Sequence, residues 1–438
     1  MRFEFITNAL KAQGTKAIYT FIDFKNAFPS VRWFAIEAAL KSFHVPAKLI
    51  NGILSMYESH KGFVKTADGD TEHFDITAGV LQGDTLAPYL FIIVLNEILR
   101  SAITATSTSV IQTSATDRVS SKHYHAPVAI TDLNFADDIV LINTTESAAQ
   151  HMLHKIQTEA AKAGLEINNK KTQNVIIGNW TPLTLALDGS TIQNVQRYRY
   201  LGRWTDHQYD LTVRIGAARR SMHKMRRVWQ STTLTNIHKA VLFKVITLPT
   251  LTYAMSTYPL NKSVLDRIRG ATTRMLKKAL NIPAAQHCTI EEIYCQGPVS
   301  IDLTPVLLYK QRMNLIGAAL RIHDSALYKV FMLNYLFVTD DHTINNTVMN
   351  DLPALLKPHD IIALAQDPPT WKKFTNTALE TIYADTVAEI NASSASSKRH
   401  RPTSPLIEPL RAPVPQRHTS QLTLDHWLNF VPQQQLES

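Results

Sequence analysis

The sequence predicts an α+β fold in which an antiparallel sheet with packed helices is followed by an all-helical region. Short β-prone runs bounded by turn residues recur up to about residue 202, and amphipathic helical patterns separate them. From Asp206 to Asn281 the pattern changes to helical periodicity with many basic residues. At 438 residues, the chain is long enough for about three domains.

The first elements follow from a β-prone run and two amphipathic stretches. Ala17–Phe24 predicts a central strand with Asp23 near its end. Apolar spacing predicts a helix over about Val31–Phe43 and a second one after Pro46. An Asp68-Gly69 pair between two β-prone runs then predicts a β-hairpin.

A glycine-framed polar loop opens the next group of elements. The loop is Gly79–Pro88, and a helix is predicted from about Thr85 to Arg100. Ser147–Ala163 predicts another amphipathic helix, with Gly164 as its C-cap. Two strands follow, at Leu165–Asn168 and Gln173–Ile177, and Lys170–Thr172 forms the turn between them.

The second half of the chain is predicted to be mainly helical. It begins after two short strands at Leu183–Leu187 and Tyr198–Gly202. The pattern is helical and basic from Asp206 to Asn281, with helices predicted at Ile237–Tyr258 and Val264–Leu280, and a smaller helical unit follows at about Pro283–His323. Six basic residues cluster in what is predicted to be one helix: Arg214, Arg219, Arg220, Lys224, Arg226 and Arg227. Asn391–Arg417 is rich in Ser, Pro, Arg and Ala, which predicts disorder.

Composition narrows the partners and the compartment. The net charge of +9 favours a polyanionic partner, nucleic acid before membrane. Cys288 and Cys295 are too few for a disulfide framework or zinc finger, which indicates a reducing intracellular compartment, with nucleus and cytoplasm both open. The apolar stretch Val241–Leu260 contains Lys244 and Pro249, so it predicts a buried helix rather than a membrane span.

Two adjacent acids stand out within Asn134–Ile142. Asp137 and Asp138 lie at a predicted turn between Val128–Ile130 and the apolar run that begins at Ile139. Two carboxylates about 4 Å apart repel by ~1 kcal/mol in water and ~4 kcal/mol at an effective dielectric of about 20. A divalent cation reverses this repulsion, because hard cations prefer oxygen ligands. The alternative is an Asp-Asp turn that only shapes a surface hairpin.

Asp23 adds a third carboxylate. If its strand neighbours the Asp137-Asp138 hairpin in one antiparallel sheet, the three acids converge. Such a site could hold two divalent ions, one lowering the pKa of an attacking hydroxyl and one stabilising the leaving oxygen, as in phosphoryl or nucleotidyl transfer. Alone, Asp23 is equally explained as a strand-end acid. Phe28, which would flank the site, is equally explained as a core residue at a strand–helix corner.

Five motifs, in one order and at consistent spacing, resemble those of reverse transcriptases, in the style of non-LTR (LINE-type) retrotransposons. They are Phe21-Ile22-Asp23-Phe24-Lys25-Asn26-Ala27-Phe28 (first catalytic motif), Gly79-Val80-Leu81-Gln82-Gly83 with Leu86-Ala87-Pro88 (substrate loop and helix), Phe135-Ala136-Asp137-Asp138 (double-aspartate motif), Gly164-Leu165-Glu166-Ile167-Asn168 with Lys170-Lys171-Thr172 (the next motif) and Tyr200-Leu201-Gly202 (primer grip). The resemblance covers roughly Ala17–His323.

The resemblance implies a site for two magnesium ions, with manganese as a possible substitute. Asp23 and Asp137 would bridge the metals, Asp138 would be a less direct ligand, and the backbone carbonyl of Phe24 a further one. Phe28 would lie under the sugar and exclude a 2′-hydroxyl, which favours deoxynucleotides.

The same resemblance implies contacts with substrates. Gln82 and Gly83 would touch the incoming nucleotide and the template, and Lys171 (or Lys170) would neutralise the leaving pyrophosphate. The alternative for these lysines is a solvated turn. Tyr200-Leu201-Gly202 and the six basic residues would contact the primer–template, the basic residues through salt-dependent, sequence-independent phosphate contacts. A solvated helix face is the alternative for them.

The resemblance also implies a domain order. It is a polymerase palm at 1–205, an all-helical thumb at 206–282, a small helical region at 283–340, and a C-terminal region at 341–438 that is partly disordered at about 391–417. Only 22 residues precede Asp23. A finger segment is therefore expected to be missing, with Phe3–Ala12 as its last helix. No endonuclease or cysteine–histidine knuckle is recognised.

The function predicted from these observations is that of an RNA-directed DNA polymerase. It would extend a primer 3′-hydroxyl with dNTPs on an RNA template, with DNA as primer or target and without a membrane. The rival hypothesis is a catalytically inactive remnant that only binds nucleic acid. An RNA-dependent RNA polymerase is disfavoured, because Ala136 precedes the acid pair where those enzymes usually carry Gly, and because Phe28 is bulky.

Overall fold

The structure is a computed structural model, and the part of the chain that it describes comprises residues 3, 6, 7, 10, 16–58, 61–81, 83–104, 130–178, 183–258, 262–283, 295–296, 299–300, 304–321, 363–377 and 379. The chain divides into two units, Met1–Val387 and Ala388–Ser438, and all described residues belong to the first. The predictions for Gln82, for Cys288 and for disorder at 391–417 lie outside the described residues.

The described strands are mostly short. In chain order they are β1 (Ala17–Ile22), β2 (Phe24–Lys25), β3 (Lys61–Gly62), β4 (Lys65–Thr66), β5 (Gly69–Asp70), β6 (Phe74–Asp75), β7 (Asp132–Phe135), β8 (Asp138–Asn143), β9 (Glu166–Ile167), β10 (Gln173–Ile177), β11 (Ala186–Leu187), β12 (Ser190–Thr191), β13 (Gln193–Val195), β14 (Arg199–Tyr200), β15 (Arg203–Trp204), β16 (Cys295–Gln296) and β17 (Val299–Ser300).

The described helices are longer. They are α1 (Ala27–Ser30), α2 (Trp33–Ser42), α3 (Ala47–Glu58), α4 (Ala87–Thr104), α5 (Glu146–Lys162), α6 (His207–Lys224), α7 (Arg226–Gln230), α8 (Asn236–Leu242), a π-helix (Phe243–Thr247), α9 (Leu248–Thr252), a 3₁₀ helix (Met255–Thr257), α10 (Lys262–Ala279) and α11 (Thr304–Arg321). Residues 363–366 and 368–377 are also helical.

The main sheet has five strands in the order β13-β10-β1-β8-β7. The central strand, β1, is antiparallel to both β8 and β10, whereas β13 pairs in parallel with β10. All residues of β1 are buried, which explains its near-continuous apolar run. Its Thr20 donates a hydrogen bond of 2.9 Å to Asn174 Oδ1. The predicted mixture of helix and sheet is confirmed.

The two faces of β1 belong to different cores, because successive side chains of a strand point to opposite faces. Ile18 and Ile22 lie in a core shared with helices α2 to α5. Tyr19 and Phe21 lie in a second core, which includes residues of α6 to α11 and Phe3. The helices predicted between the strands therefore cover one face of the sheet.

Several predicted boundaries are corrected by the structure. Helix α4 begins at Ala87 rather than Thr85, because Asp84 Oδ1 accepts the Leu86 N–H at 3.1 Å in a turn outside the helix. It continues past the predicted end at Arg100 to Thr104. The hairpin strand before the acids is β7, not Val128–Ile130, whose first two residues lie outside the described part. The short hairpin β4–β5 has Asp68-Gly69 at its turn, as predicted.

The predicted single basic helix is wrong: the structure divides it into α6 and α7 at Met225. In a continuous α-helix, the Met222 carbonyl would accept the N–H of Arg226, four residues on. Here it accepts the indole N–H of Trp229 at 2.9 Å. Burial of this indole accompanies the break, and Arg226 and Arg227 consequently lie on a separate short helix.

Two further helical predictions need correction. The predicted helix Ile237–Tyr258 consists of α8, the π-helix, α9 and the 3₁₀ helix. Pro249 near the start of α9 lacks an N–H, which removes a regular hydrogen bond next to the π-helix. The stretch was predicted to be a buried helix, but its Val245 is 66% exposed, so the stretch is only partly buried. The predicted small helical unit contains the hairpin β16–β17 before α11.

Within the described part, none of the helices combines the length and the apolar character that a bilayer crossing requires.

Candidate active site

The two adjacent acids lie at the tight turn between β7 and β8. Phe135 pairs with Asp138, so the turn consists of Ala136 and Asp137 alone. Ala136, the first of the two turn residues, has a positive φ of 52°, which the primed hairpin turns require at that position. Asp137 and Asp138 are both exposed, whereas Ile139, which follows them, is buried. The sheet therefore presents the two carboxylates at its edge.

Asp23 lies at the same edge. β1 and β8 pair up to Ile22 and Ile139, and Asp23 and Asp138 are each one residue beyond this pair. The backbone of Asp23 is fixed on its other side, because its carbonyl accepts the N–H of Asn168 at 2.7 Å. The structure thus brings together the three acids that the sequence singled out.

The acids interact electrostatically. Partial burial raises the pKa of Asp138, and the charges of Asp137 and then Asp23 raise it further. One oxygen of Asp23, Oδ2, is buried and accepts no hydrogen bond from the described residues. Its nearest described cation is the Lys171 ammonium at 3.4 Å. A divalent cation would relieve both the mutual repulsion and the unsatisfied oxygen, so the residues present fit such an ion.

Within the described part of the chain, however, no three His, Cys, Asp or Glu side chains are close enough together to form a metal site. The three acids are within electrostatic range of one another, and binding of an ion would require their side chains to draw closer. Phe24 offers a backbone oxygen nearby. The Asp23 carbonyl bonds towards the β9 side, where it accepts the Asn168 N–H. Carbonyls of successive residues in an antiparallel pair point alternately towards and away from the partner strand, so the carbonyl of Phe24 points away from β9.

Phe28 lies beside the glycine-framed loop. Its ring stacks on Phe91 with centroids 4.7 Å apart and planes at 13°. Its carbonyl accepts the N–H of Val80 at 2.9 Å, so the loop that contains Gly83 is attached to the same segment. Gly83 is exposed with φ 94°. The structure therefore supports the adjacency of Phe28 and the loop that the motifs implied.

The lysine pair follows Asn168 in a turn that ends at β10. Lys171 N–H and Thr172 N–H both donate to the Asn168 carbonyl, at 3.1 and 2.9 Å. The Lys171 side chain is 68% exposed while its ammonium faces Asp23. Lys170 is also exposed, but no described contact directs it towards the acids. Of the two lysines, only Lys171 is thus placed at the acid cluster.

Two tyrosines near the acids were not singled out together from the sequence. Burial raises the pKa of Tyr198, and the charges of Asp23 and Asp138 raise it further. The pKa of Tyr200 is likewise raised, by burial and then by Asp138. Tyr198 also stacks on Phe21 with ring centroids 4.1 Å apart. The alternation Tyr198-Arg199-Tyr200, which places both rings on one face of a strand, was the signal that could have found Tyr198.

The predicted nucleic-acid contacts separate into two groups. Arg219, Arg220, Lys224, Arg226 and Arg227 are exposed, and the described residues include no ion pair with any of them. Arg214, in contrast, is mostly buried and pairs with Asp210. Tyr200 ends β14, and Leu201-Gly202 forms the tight turn of the hairpin β14–β15, with φ 49° at Leu201 and 74° at Gly202.

Comparisons with known proteins agree with these motifs. Residues 1–205 match the family described as reverse transcriptase (RNA-dependent DNA polymerase). A putative uncharacterized transposon-derived protein of Caenorhabditis elegans is 30% identical over 164 residues, which cover 36% of this chain and 59% of that protein. A retrovirus-related Pol polyprotein from a type-1 retrotransposable element R2 of Popillia japonica is 24% identical over 277 residues, which cover 58% of this chain and 41% of the polyprotein.

A solved structure of apo telomerase from Candida tropicalis aligns with 85% of this chain and 56% of its own, at a TM-score of 0.38 and 12% identity. That similarity is too low to support a structural argument. The chain spans 59% and 41% of the lengths of the two curated relatives named above, less than two thirds in each case.

Proposed function

We propose that the chain is an RNA-directed DNA polymerase, because residues 1–205 match the reverse transcriptase family and the relatives include Pol polyproteins of R2 retrotransposable elements. It transfers the nucleotidyl group of a dNTP to the 3′-hydroxyl of a primer paired with an RNA template, releases pyrophosphate, and uses DNA as primer or target. The observation that carries this proposal is the juxtaposition of Asp23 with Asp137 and Asp138 across the β1–β8 pair.

The proposal assigns the metal site to these acids. Asp23, Asp137, Asp138 and the carbonyl of Phe24 would hold two magnesium ions, which lower the pKa of an attacking hydroxyl and neutralise a leaving pyrophosphate when bound. Two observations support this assignment: burial and the charges of Asp137 and Asp23 raise the pKa of Asp138, and the buried Asp23 Oδ2 accepts no hydrogen bond from the described residues.

The remaining residues would position the substrates. Phe28, held against Phe91, presents a bulky edge where a 2′-hydroxyl would lie and so favours deoxynucleotides. Gly83, and Gln82 beside it, would contact the nucleotide and template. The Lys171 ammonium, 3.4 Å from Asp23, would move from that carboxylate to pair with the leaving pyrophosphate. The main sheet with α1–α5 would act as palm and α6–α10 as thumb.

The exposed basic residues would hold the duplex. Arg219, Arg220 and Lys224 lie on α6, and Arg226 and Arg227 lie on α7. Arginine and lysine side chains on such surfaces contact phosphates without reading sequence. Binding is therefore expected to weaken steeply with salt, with a slope that reflects the number of phosphates neutralised.

The test is primer extension on a poly-rA template with dTTP and magnesium, comparing the wild type with Asp137→Ala and Asp70→Ala. Asp70 is an exposed acid on the hairpin β4–β5 and serves as a matched control. The proposal predicts incorporation by the wild type and by Asp70→Ala, and loss in Asp137→Ala. Incorporation that survives in Asp137→Ala would contradict it.

One observation favours a second candidate function, that of a nucleic-acid-binding protein without catalysis. Within the described residues the acids are not drawn together as a metal site, and Lys171 already occupies the vicinity of Asp23. This candidate predicts no incorporation by any variant, together with salt-sensitive binding of labelled primer–template. Binding by electrophoretic mobility shift at two salt concentrations, run beside primer extension, separates the two functions.

A further inference from the structure

The tight turn Leu201-Gly202 lies beside the acid hairpin, and both of its carbonyls are hydrogen-bonded. Tyr253 Oη donates to the Leu201 carbonyl at 3.1 Å. The Arg214 guanidinium donates to the Gly202 carbonyl. A two-residue hairpin with short strands has few bonds of its own, so these two side chains largely determine where the turn lies.

Besides its bond to the Gly202 carbonyl, Arg214 contacts Tyr253 and Asp210. Its guanidinium lies 4.5 Å over the ring of Tyr253, and its Nε lies 3.5 Å from Asp210 Oδ2, with only 15% of the side chain exposed. Planar guanidinium groups favour such combined stacking and pairing. The donors of Arg214 are therefore directed into the protein and towards the turn.

Asp210 connects this arginine to the hairpin and to the helical region. Its side chain is fully buried, and its Oδ1 accepts the N–H of Trp204 in β15 at 3.0 Å. Its Oδ2 accepts the hydroxyl of Tyr258, next to the 3₁₀ helix. A phosphate that recruited Arg214 would leave this carboxylate buried beside fewer positive charges, which is unfavourable.

The turn and the acid hairpin line one cavity of about 480 Å³. Asn134 and Phe135, which precede the acids, form one wall, and Tyr200, Leu201 and Tyr253 form another. The position of the turn consequently sets the shape of this cavity, whose lining includes Asn134 and Phe135 of the acid hairpin but not Asp137 or Asp138. Aromatic walls of this kind suit the end of a nucleic-acid strand, whose bases stack on aromatic rings.

We propose that Arg214 is a positioning residue rather than a phosphate contact: together with Asp210 and Tyr253, it fixes the Leu201-Gly202 turn beside the acid hairpin, so that the cavity can receive the end of a primer strand. The occupant rests on the proposed polymerase function, whereas the positioning role does not. This separates Arg214 from the exposed basic residues of α6 and α7, with which the sequence had grouped it.

Two measurements on Arg214→Gln, with Arg219→Gln as the matched exposed variant, test the proposal. The first is amide hydrogen exchange of residues 198–205 in the protein without nucleic acid. The second is the salt dependence of primer–template binding, where loss of one phosphate contact lowers the slope by about 1. Arg214→Gln is expected to speed exchange at 198–205 about tenfold and leave the salt slope unchanged. Arg219→Gln is expected to leave exchange at 198–205 unchanged and to lower the salt slope by about 1.

A salt slope lowered by about 1 in Arg214→Gln, with exchange unchanged, would overturn the proposal. If Arg214→Gln does not fold, the double variant Asp210→Asn with Arg214→Gln removes both charges of the pair and is measured in the same way, with the same two outcomes. Tyr253→Phe, which keeps the ring under Arg214 but loses the hydroxyl, is expected to speed exchange at 198–205 by a smaller factor.

The proposed polymerase function is tested separately. If the wild type incorporates dTTP, Arg214→Gln is expected to lower kcat for primer extension while the Kd for primer–template stays within about twofold. If the wild type does not incorporate dTTP, the polymerase function fails, yet hydrogen exchange and the salt slope still decide whether Arg214 positions the turn. Wild-type-like kcat in Arg214→Gln would contradict the link between the turn and the primer end.

Discussion

Gly79→Ala is expected to destabilise the protein far more than Gly83→Ala, although the two glycines have similar backbones, with φ 90° and 94°. A Cβ at Gly79 would lie 2.5 Å from the carbonyl oxygen of Pro29, whereas one at Gly83 would meet nothing within 4 Å. Gly79 cannot move aside easily, because its N–H donates to the Val31 carbonyl at 2.7 Å and its carbonyl accepts the Trp33 indole at 3.0 Å.

The expected magnitudes follow from these contacts. A left-handed backbone costs an alanine roughly 1–2 kcal/mol at either position. The clash with Pro29 adds about 1–3 kcal/mol at Gly79 only, as for overpacked sites in general. We therefore expect a loss of about 1–2 kcal/mol for Gly83→Ala and about 2–5 kcal/mol for Gly79→Ala. In a domain of about 150–250 residues, 1 kcal/mol moves Tm by about 2–4 °C, so thermal unfolding resolves the two variants.

Equal Tm values for Gly79→Ala and Gly83→Ala would refute this reasoning. They would mean that the loop and the Pro29 backbone separate without cost, so that the glycine is needed only for its φ. Gly69→Ala provides a second control, because Gly69 has φ 123° and also has nothing within 4 Å of its added Cβ. It should resemble Gly83→Ala rather than Gly79→Ala.

Four other substitutions test the site and its supports. Asp23→Asn should leave Tm nearly unchanged but lower magnesium-dependent incorporation by about 10²-fold or more, as steady-state kinetics would show. Phe28→Val should raise incorporation of ribonucleotides relative to deoxynucleotides by about tenfold in paired extension assays. Lys171→Gln should lower incorporation by about 10²-fold while moving the free energy of unfolding by no more than about 1 kcal/mol, because the lysine side chain is 68% exposed. Burial alone would raise the pKa of Glu97, but hydrogen bonds from Arg100 and Ser42 outweigh it and lower that pKa. Since this stabilisation is present at neutral pH and lost as pH falls through the folded-state pKa, Glu97→Gln should lower Tm at neutral pH and not in acid.

The sequence predicted the parts of the site that depend on strand periodicity and turn chemistry. The buried run of β1 and the apolar run after Asp138 were predicted as strands, and the two acids were predicted to lie at a turn. That these two strands are neighbours in one antiparallel sheet was only a condition in the sequence argument. The structure meets that condition, because β1 pairs with β8.

What the sequence could not predict depends on contacts between distant residues. Six nearby basic residues suggested one helix with one role. The indole of Trp229 takes the Met222 carbonyl and ends α6, and the buried Asp210 turns Arg214 inward. The place of the indole depends on how the helical region packs and has no signature in local spacing. Asp210 and Arg214 are four residues apart on one helix, a spacing that the sequence does show, but their burial depends on packing.

The pairing of β1 with β8 also bears on which acids interact most strongly. Ile22 and Ile139 are the last paired residues of β1 and β8, and Asp23 and Asp138 are their neighbours just beyond the ladder. Residues opposite each other in antiparallel strands project to the same face. That face is the one that carries Phe21 and not Ile22. Tyr198 stacks on Phe21, and its pKa is raised in part by both Asp23 and Asp138.

Asp137 differs because it occupies the turn itself, outside the ladder. The motif resemblance gave Asp137 the direct role and Asp138 the lesser one, whereas the β1–β8 ladder ends one residue short of Asp23 and Asp138 and so places these two at matching positions just beyond it. Asp138 is the first residue of β8 and Asp23 lies directly after β1, so the backbones of both are adjacent to paired strands. The carboxylates of Asp23 and Asp138 would therefore be better fixed for holding a cation than that of Asp137.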